Sequence, residues 1–298
     1  MRLITGNGLV GSCLDGDVKI SSKDYNLTKT NEVIKMYKKY KPTEVIHTAA
    51  KVGGLGSNMN FKGEYFYDNI MINTNVIEQA RNHGVKNLVT FLSTCIFPDN
   101  TKYPLKEEYI HLGPPHFSND AYAYAKRMAD IQIRSYKEQY GLNYKSVVPT
   151  NIYGPNDNFS LTHGHVVPML IHKMYISQID NRPFEVWGSG KPLREFIYSE
   201  DVSHLTEWVL KNYNDPEPII LSTSQEISIR DLVDLLVQEF NFKGEVLFDK
   251  SKPDGQFRKP SDNSKIKEYL PEFEFTPIEV GIKKTIKWFL ENYEKSRK

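Results

Sequence analysis

Cysteine is nearly absent from this chain. Its 298 residues hold two, Cys13 and Cys95, so neither a disulfide framework nor an all-cysteine zinc site can be built. Excess charge is lacking as well. Against 38 basic residues stand 37 acidic ones, a formal net charge of +1, which provides no broad field for nucleic acid or an anionic membrane. No uninterrupted apolar stretch approaches the roughly 18 residues of a membrane span. The apolar run after Arg2 meets Thr5 and Gly6 too soon to form a secretory leader. Internal repeats and low-complexity segments are missing too. The expectation is a soluble cytoplasmic protein with no bound metal and no nucleic-acid or membrane partner.

What is present is alternation. Short apolar runs at Leu3–Thr5, Val18–Ile20, Glu44–His47, Asn87–Leu92 and Tyr144–Val148 read as strands. Between them, helical patterns cover Asn31–Tyr40, about Phe61–His83, and Ala121–Tyr140. Strands this apolar belong to a parallel sheet covered on both faces, which predicts an α/β, doubly wound fold. The second half is less regular. It predicts helices at His165–Gln178, Asp201–Asn212, Ser228–Phe240, Ser264–Tyr269 and Pro277–Glu294. Short strands are expected near Phe184–Val186, Phe196–Tyr198, Ile219–Ser222 and Glu245–Phe248, with loops at Pro155, Pro183, Pro192, Pro216 and Pro253. Ser228 is placed to cap its helix, with Asp231 three residues on, close to a capping box.

The first strand runs into Gly6-Asn7-Gly8-Leu9-Val10-Gly11, the Gly-x-Gly-x-x-Gly spacing of a Rossmann-type dinucleotide site. Glycine there permits the tight turn, close approach of a pyrophosphate, and helix–strand packing. The anion then meets N–H groups at the helix N-terminus. Only six residues separate Gly11 from Val18, so the first crossover helix is shortened to barely two turns. That predicts a poorly covered patch of sheet and a weakened cofactor site. After the second strand stand Ser21-Ser22-Lys23, where an NAD-specific site offers a carboxylate. Two hydroxyls and a cation suit a 2′-phosphate, so Ser22 and Lys23 predict NADPH over NADH, although a solvated surface lysine reads the same way.

Tyr122 and Lys126 lie four residues apart, on one face of a helix. An unperturbed tyrosine titrates near ~10, and a nearby ammonium favours its phenolate. Such a pair moves a proton at a carbonyl or hydroxyl. Ser93 directly follows an apolar strand, at the carboxyl edge where open α/β sheets bind ligands. Cys95 points the same way as Ser93 if the chain stays extended. On residue type alone, a free Cys such as Cys95 is more often a small buried hydrophobe than an acid–base group, and a Tyr–Lys pair at this spacing more often lies on the surface.

Together these residues resemble the extended short-chain dehydrogenase/reductase family. Ser93, Tyr122 and Lys126 match its catalytic trio in order and spacing. The finer resemblance is to members that act on GDP-4-keto-6-deoxy-D-mannose. It is carried by Ala49-Ala-Lys-Val-Gly-Gly54, Ser93-Thr-Cys-Ile-Phe-Pro98, Tyr122-Ala-Tyr-Ala-Lys-Arg127, Pro149-Thr-Asn-Ile-Tyr-Gly-Pro155, His165-Val-Val-Pro168, Val186-Trp-Gly-Ser-Gly190, Arg194-Glu-Phe-Ile-Tyr198 and Lys252-Pro-Asp-Gly-Gln256. The chain departs from the family pattern in its glycine loop, one residue shorter than usual, and in its short first helix.

The resemblance implies epimerisation at C3 and C5 followed by reduction of the C4 ketone with NADPH. Tyr122 is then the proton donor, Lys126 its partner at the nicotinamide ribose, Ser93 the group that orients the ketone, Cys95 the base and His165 the acid of epimerisation. Ala49, Ala50, Pro149, Asn151, Ile152 and His165 are implied to join the glycine loop, Tyr122 and Lys126 around NADP. Asn151, Lys173, Trp187, Arg194 and Lys252, with Ser93 and Cys95, are implied to contact the GDP-sugar. It also implies a homodimer through the helices near 61–83 and 121–140. The expected division is a Rossmann domain of 1–152 with 186–214 and a smaller α/β substrate-binding domain of 153–185 with 215–298. An enzyme acting on a UDP- or dTDP-sugar, and a non-catalytic NADP-binding scaffold, remain alternatives at this point.

Overall fold

The computed structural model describes residues 1–252 and 254–298; Pro253, expected in a loop, lies outside the described residues. In chain order the strands are β1 (Arg2–Thr5), β2 (Val18–Ile20), β3 (Glu44–His47), β4 (Asn87–Phe91), β5 (Asn143–Pro149), β6 (Asn151–Tyr153), β7 (Phe184–Trp187), β8 (Leu193–Tyr198), β9 (Ile219–Leu221), β10 (Glu226–Ser228) and β11 (Val246–Asp249). The helices are α1 (Leu9–Cys13), α2 (Thr30–Tyr40), α3 (Leu55–Asn60), α4 (Lys62–Asn82), α5 (Asp120–Tyr140), α6 (Val166–Ile179), α7 (Ser199–Asn212), α8 (Ile229–Phe240), α9 (Ser264–Tyr269) and α10 (Ile278–Glu291).

Six strands form one parallel sheet in the order β2-β1-β3-β4-β5-β9. Alternate residues of each strand enter different cores. Leu3, Val45, Leu88 and Val148 pack with Val33, Met36 and Tyr37 of α2, Val76 and Ile77 of α4, and Ile133 of α5. Ile4, Ile46, Val89, Val147 and Ile219 pack on the opposite face. Each fully buried side chain of this size contributes about 1.5–3 kcal/mol. Burial on both faces explains the unbroken apolar runs in the sequence. The chain crosses over between β2 and β3, so the switch point of the sheet lies between β1 and β3, where such folds hold their ligands.

The short first helix is real: α1 has five residues. The bare patch expected beside it is not found, because α7 covers that face. Val202, Leu205 and Val209 of α7 join Val10 and Leu14 in the same core. The carbonyls left over at the end of α1 are met from outside the helix. Ser203 Oγ donates to Cys13 O at 3.0 Å, and Lys19 Nζ donates to Ser12 O at 2.9 Å. Arg2 fixes the arrangement with ion pairs to Glu207 at 2.7 Å and Glu44 at 3.2 Å.

The smaller core is built on a three-stranded sheet, β10-β8-β6, and the pair β11-β7. Tyr153, Phe159, Leu170, Phe184, Phe196, Leu236, Ile282 and Phe289 are among its buried side chains. Two details of strand pairing cut across the expected division. β9 falls in the segment assigned to the smaller unit, yet Val147 registers with Ile219 at the edge of the large sheet. β8 and the second half of β7 fall in the segment assigned to the large unit, yet they pair with β6, β10 and β11. A three-residue apolar run announces burial but not the strand it will join. Strands β6 and β10, too short and too polar to read from the sequence, complete the small sheet. Ser228 caps α8 as expected, accepting from Asp231 N at 3.0 Å.

Candidate active site

All the strands of the large sheet are parallel, so the chain segments after β1, β3, β4 and β5 emerge at one edge. After β1 comes the glycine loop, which sits against the segment after β3. Gly6 has φ +102°, and a Cβ built on it would stand 2.5 Å from Thr48 Oγ1 and 2.9 Å from Ala49 N. A Cβ on Gly11 would stand 1.8 Å from Gly6 O. No other residue fits either position. Thr48 Oγ1 donates to Thr5 O at 2.9 Å and to Gly6 O at 3.2 Å, locking the two segments together. Asn7 is exposed, and Gly8 is the N-cap of α1 with no side-chain cap. The cradle therefore fits a dinucleotide: backbone can approach closely, and the first N–H groups of α1 need an acceptor. Ala49 and Ala50 line the other side, both half-buried.

At the end of β2, Ser22 and Lys23 are exposed. The nearest carboxylate, Asp24, turns back to accept from Ser21 N at 2.7 Å and Ser21 Oγ at 2.8 Å, which lowers its proton affinity. Ser22 and Lys23 thus keep polar, cationic groups at the strand end.

After β4, Ser93 is the last extended residue, and the chain then tightens into a 3₁₀ turn over Thr94–Ile96. Cys95 is therefore not aligned with Ser93 by an extended strand. The Ser93 hydroxyl instead accepts from Cys95 N at 3.3 Å. Helix α5 holds both ends of this loop. Lys126 Nζ donates to Phe91 O at 2.8 Å, and Arg127 Nε donates to Ile96 O at 2.6 Å. Tyr122 lies one turn before Lys126, whose Nζ is 5.8 Å from the Tyr122 ring centre. Burial pushes the Tyr122 phenol well above its usual proton affinity, with added repulsion from Cys95 and Tyr65. Burial pulls Lys126 down to about 8. The serine, cysteine, tyrosine and lysine named from the sequence thus share one site.

After β5, Pro149 ends the strand and Ile152 lies on β6. Asn151 donates its amide to Glu195 O at 2.8 Å, tying β6 to β8. His165 is the N-cap of α6, and its side chain is exposed. Although solvent reaches its edge, surrounding protein and the Arg297 guanidinium both disfavour its imidazolium.

The remaining residues gather on the small unit. Trp187 is 60% exposed, and two lysines face its ring: Lys173 Nζ at 5.0 Å and Lys252 Nζ at 5.6 Å. The loop bearing Lys252 is fastened to the Trp-Gly-Ser-Gly turn. Asp254 accepts from Ser189 N at 2.6 Å and Ser189 Oγ at 2.8 Å, in space that a side chain on Gly188 would fill. Arg194 donates to Leu193 O at 2.7 Å, and burial lowers its proton affinity.

One group escaped the sequence reading. Lys259 is enclosed deeply enough for desolvation to lower its proton affinity, and the charges it faces are Cys95, Asp99 and Arg194. Its place in Arg258-Lys259-Pro260 looks like an exposed basic stretch; only the tertiary fold turns it inward.

Residues 7–222 match the NAD dependent epimerase/dehydratase family. The chain is 48% identical to a Dictyostelium discoideum GDP-L-fucose synthase, over 99% of this chain and 97% of that protein. Its structure superposes on a crystal structure of a Naegleria fowleri GDP-L-fucose synthetase bound to NADP with a TM-score of 0.95 and 45% identity, covering 100% of this chain and 94% of that one. A Rossmann-type sheet, a glycine cradle, and a serine, tyrosine and lysine at its carboxyl edge agree with these matches: the chain belongs to the NAD dependent epimerase/dehydratase family, within its extended short-chain dehydrogenase/reductase group of GDP-L-fucose synthases.

Proposed function

We infer that this chain is an NADPH-dependent epimerase–reductase that converts GDP-4-keto-6-deoxy-D-mannose to GDP-L-fucose. The observation that carries the reading is that α5, which bears Tyr122, holds the loop that bears Cys95 through Lys126 to Phe91 O and Arg127 to Ile96 O, setting a carbon-acid base beside a proton donor. A simple reductase has no use for the former.

NADPH supplies the hydride that reduces C4. Gly6, Asn7, Gly8, Leu9, Val10 and Gly11 would hold its diphosphate. Ser22 and Lys23 would take its 2′-phosphate, and Ala49, Ala50, Pro149, Asn151 and Ile152 would frame the rest with Tyr122, Lys126 and His165. Tyr122 is suited to give its proton to the C4 oxygen because burial keeps the phenol protonated. The phenolate left behind is stabilised by the Lys126 ammonium one helical turn away. Ser93 orients the C4 oxygen.

Epimerisation precedes reduction, since the C4 ketone is what acidifies the C3 and C5 protons. Cys95 removes each proton as thiolate, the charge delocalises into an enolate, and His165 returns a proton from the other face. Because protein bulk and Arg297 disfavour its charged form, the His165 imidazolium is the stronger acid when it forms. Trp187 between Lys173 and Lys252, with Arg194, forms a cationic and aromatic surface suited to a guanosine diphosphate.

Homodimerisation through α4 and α5 is supported by their exposed apolar residues. Tyr124, Met128 and Ile131 of α5 are 39, 43 and 40% exposed, and Phe66 and Tyr67 of α4 are 44 and 57% exposed. A cytoplasmic location is proposed on the two unpaired cysteines and on there being no helix, among the described residues, long and apolar enough to cross a membrane. The test supplies GDP-4-keto-6-deoxymannose with NADPH or NADH and follows absorbance loss and product identity. GDP-L-fucose formed preferentially with NADPH is expected; a product with unchanged C3 and C5 configuration contradicts the reading.

A further inference from the structure

Arg297 belongs to none of the motifs above, yet it reaches the glycine loop. Its backbone is held in the loop after β6: its carbonyl accepts from Phe159 N at 2.8 Å, and it forms a parallel bridge with Asn158. The guanidinium donates through one nitrogen, Nη2, to Asn156 O at 2.6 Å. It then rests against Gly8. A Cβ built on Gly8 would stand 3.5 Å from Nη2 and 3.6 Å from Nη1. No ion pair among the described residues includes Arg297. Guanidinium carries five donors, so a bond to one carbonyl leaves most of them available. Its charge is nevertheless placed deliberately, since it acts on both Asp157 and His165.

We propose that Arg297 is a cofactor-binding residue that holds the dinucleotide's diphosphate at the glycine loop. This rests on the NADPH reading above. Two features of the chain call for such a group. The five-residue α1 aligns few peptide dipoles, so its N-terminus offers a diphosphate less than a full-length helix does. Gly8, its N-cap, brings no side chain of its own. A planar guanidinium against that glycine supplies the missing charge and matches two phosphate oxygens at once. A purely structural tie to Asn156 O needs one N–H and no charge.

The position makes a discriminating test. Arg297 lies at the first turn of α1, whereas the 2′-phosphate is expected at Ser22 and Lys23 after β2. The diphosphate is common to NADPH and NADH. Titration calorimetry of Arg297→Gln with each dinucleotide should therefore show both dissociation constants rising by the same factor, about tenfold for one charged contact. Lys23→Ala, the control, should weaken NADPH alone. Arg297→Lys, which keeps the charge that acts on Asp157, should recover part of the loss and hold the thermal midpoint without cofactor at the wild-type value. Dissociation constants within twofold of wild type for both dinucleotides would overturn the proposal, as would a loss confined to NADPH. A fall in the cofactor-free midpoint in both Arg297 variants, with affinity unchanged once folded, would make the residue structural. If the wild-type chain bound neither dinucleotide, the cofactor reading itself would fall.

Discussion

Lys126 donates to the backbone carbonyl of Phe91 at 2.8 Å, and Phe91 ends the strand that delivers Ser93 two residues later. Helix α5 is thereby anchored to β4 through one of the proposed catalytic groups. Arg127 makes the matching bond to Ile96 O, so consecutive residues of α5 grip both sides of the loop that carries Ser93 and Cys95.

Tyr122→Phe removes the proton donor and leaves the bracket intact. Reduction of the C4 ketone should slow by about 10²–10⁴-fold, in line with the loss of a positioned acid. Binding of NADPH, and solvent-deuterium exchange at C3 and C5, should persist. Single-turnover absorbance at the nicotinamide band and mass spectrometry of the recovered sugar measure the two separately.

Cys95→Ser should have the converse effect. Exchange of deuterium into C3 and C5 should fall by about 10²-fold or more, because a hydroxyl is a far weaker base at neutral pH than a thiol. NADPH affinity should match wild type. Undiminished exchange in this variant would remove Cys95 from the mechanism and direct attention to other groups facing the substrate.

Asp157 is 3% exposed; its Oδ1 accepts from Asn158 N at 2.7 Å, and its Oδ2 has no hydrogen-bond partner among the described residues. Burial raises it to about 7, against the opposing pull of the Asn158 N–H and Arg297. The sign follows from proton binding. Between the ordinary value of 3.8 and about 7, the folded chain holds a proton that the unfolded chain has lost, so this residue makes stability fall as pH rises through that window. Asp157→Asn keeps the bond to Asn158 and removes the charge. Its thermal midpoint should equal wild type near pH 4 and exceed it by several degrees at pH 8, a gain on the order of 4 kcal/mol at most. A difference that does not vary with pH would refute the assignment.

Met128 and Ile131 are exposed on α5 beside Tyr124, all on one face of the helix. If that face joins two copies of the chain, Met128→Glu with Ile131→Glu should convert a dimer to a monomer in sedimentation experiments. Because Lys126 and Arg127 point into the protein from the same helix, the monomer should keep its fold by circular dichroism. A wild-type chain that sediments as a monomer rejects the dimer outright.

The sequence by itself determined the parallel sheet, the glycine cradle, and the placing of Tyr122 and Lys126 on one face of a helix. Each rests on local regularity: apolar runs long enough to demand burial, glycines at a spacing that only close backbone contact explains, and a four-residue step along a helix. It also showed correctly that α1 is short. What it could not decide was partnership between segments far apart in the chain. The covering of the sheet beside α1 comes from α7. The sixth strand, Ile219–Leu221, comes from a segment that local pattern assigns elsewhere. Lys259 and Arg297 read as ordinary basic residues until folding sets one facing Cys95 and the other against Gly8. The physical reason is the same in each case. Periodicity reports that a side chain or strand will be buried, whereas what it is buried against depends on which distant surfaces are free to receive it, and that is settled only when the whole chain packs.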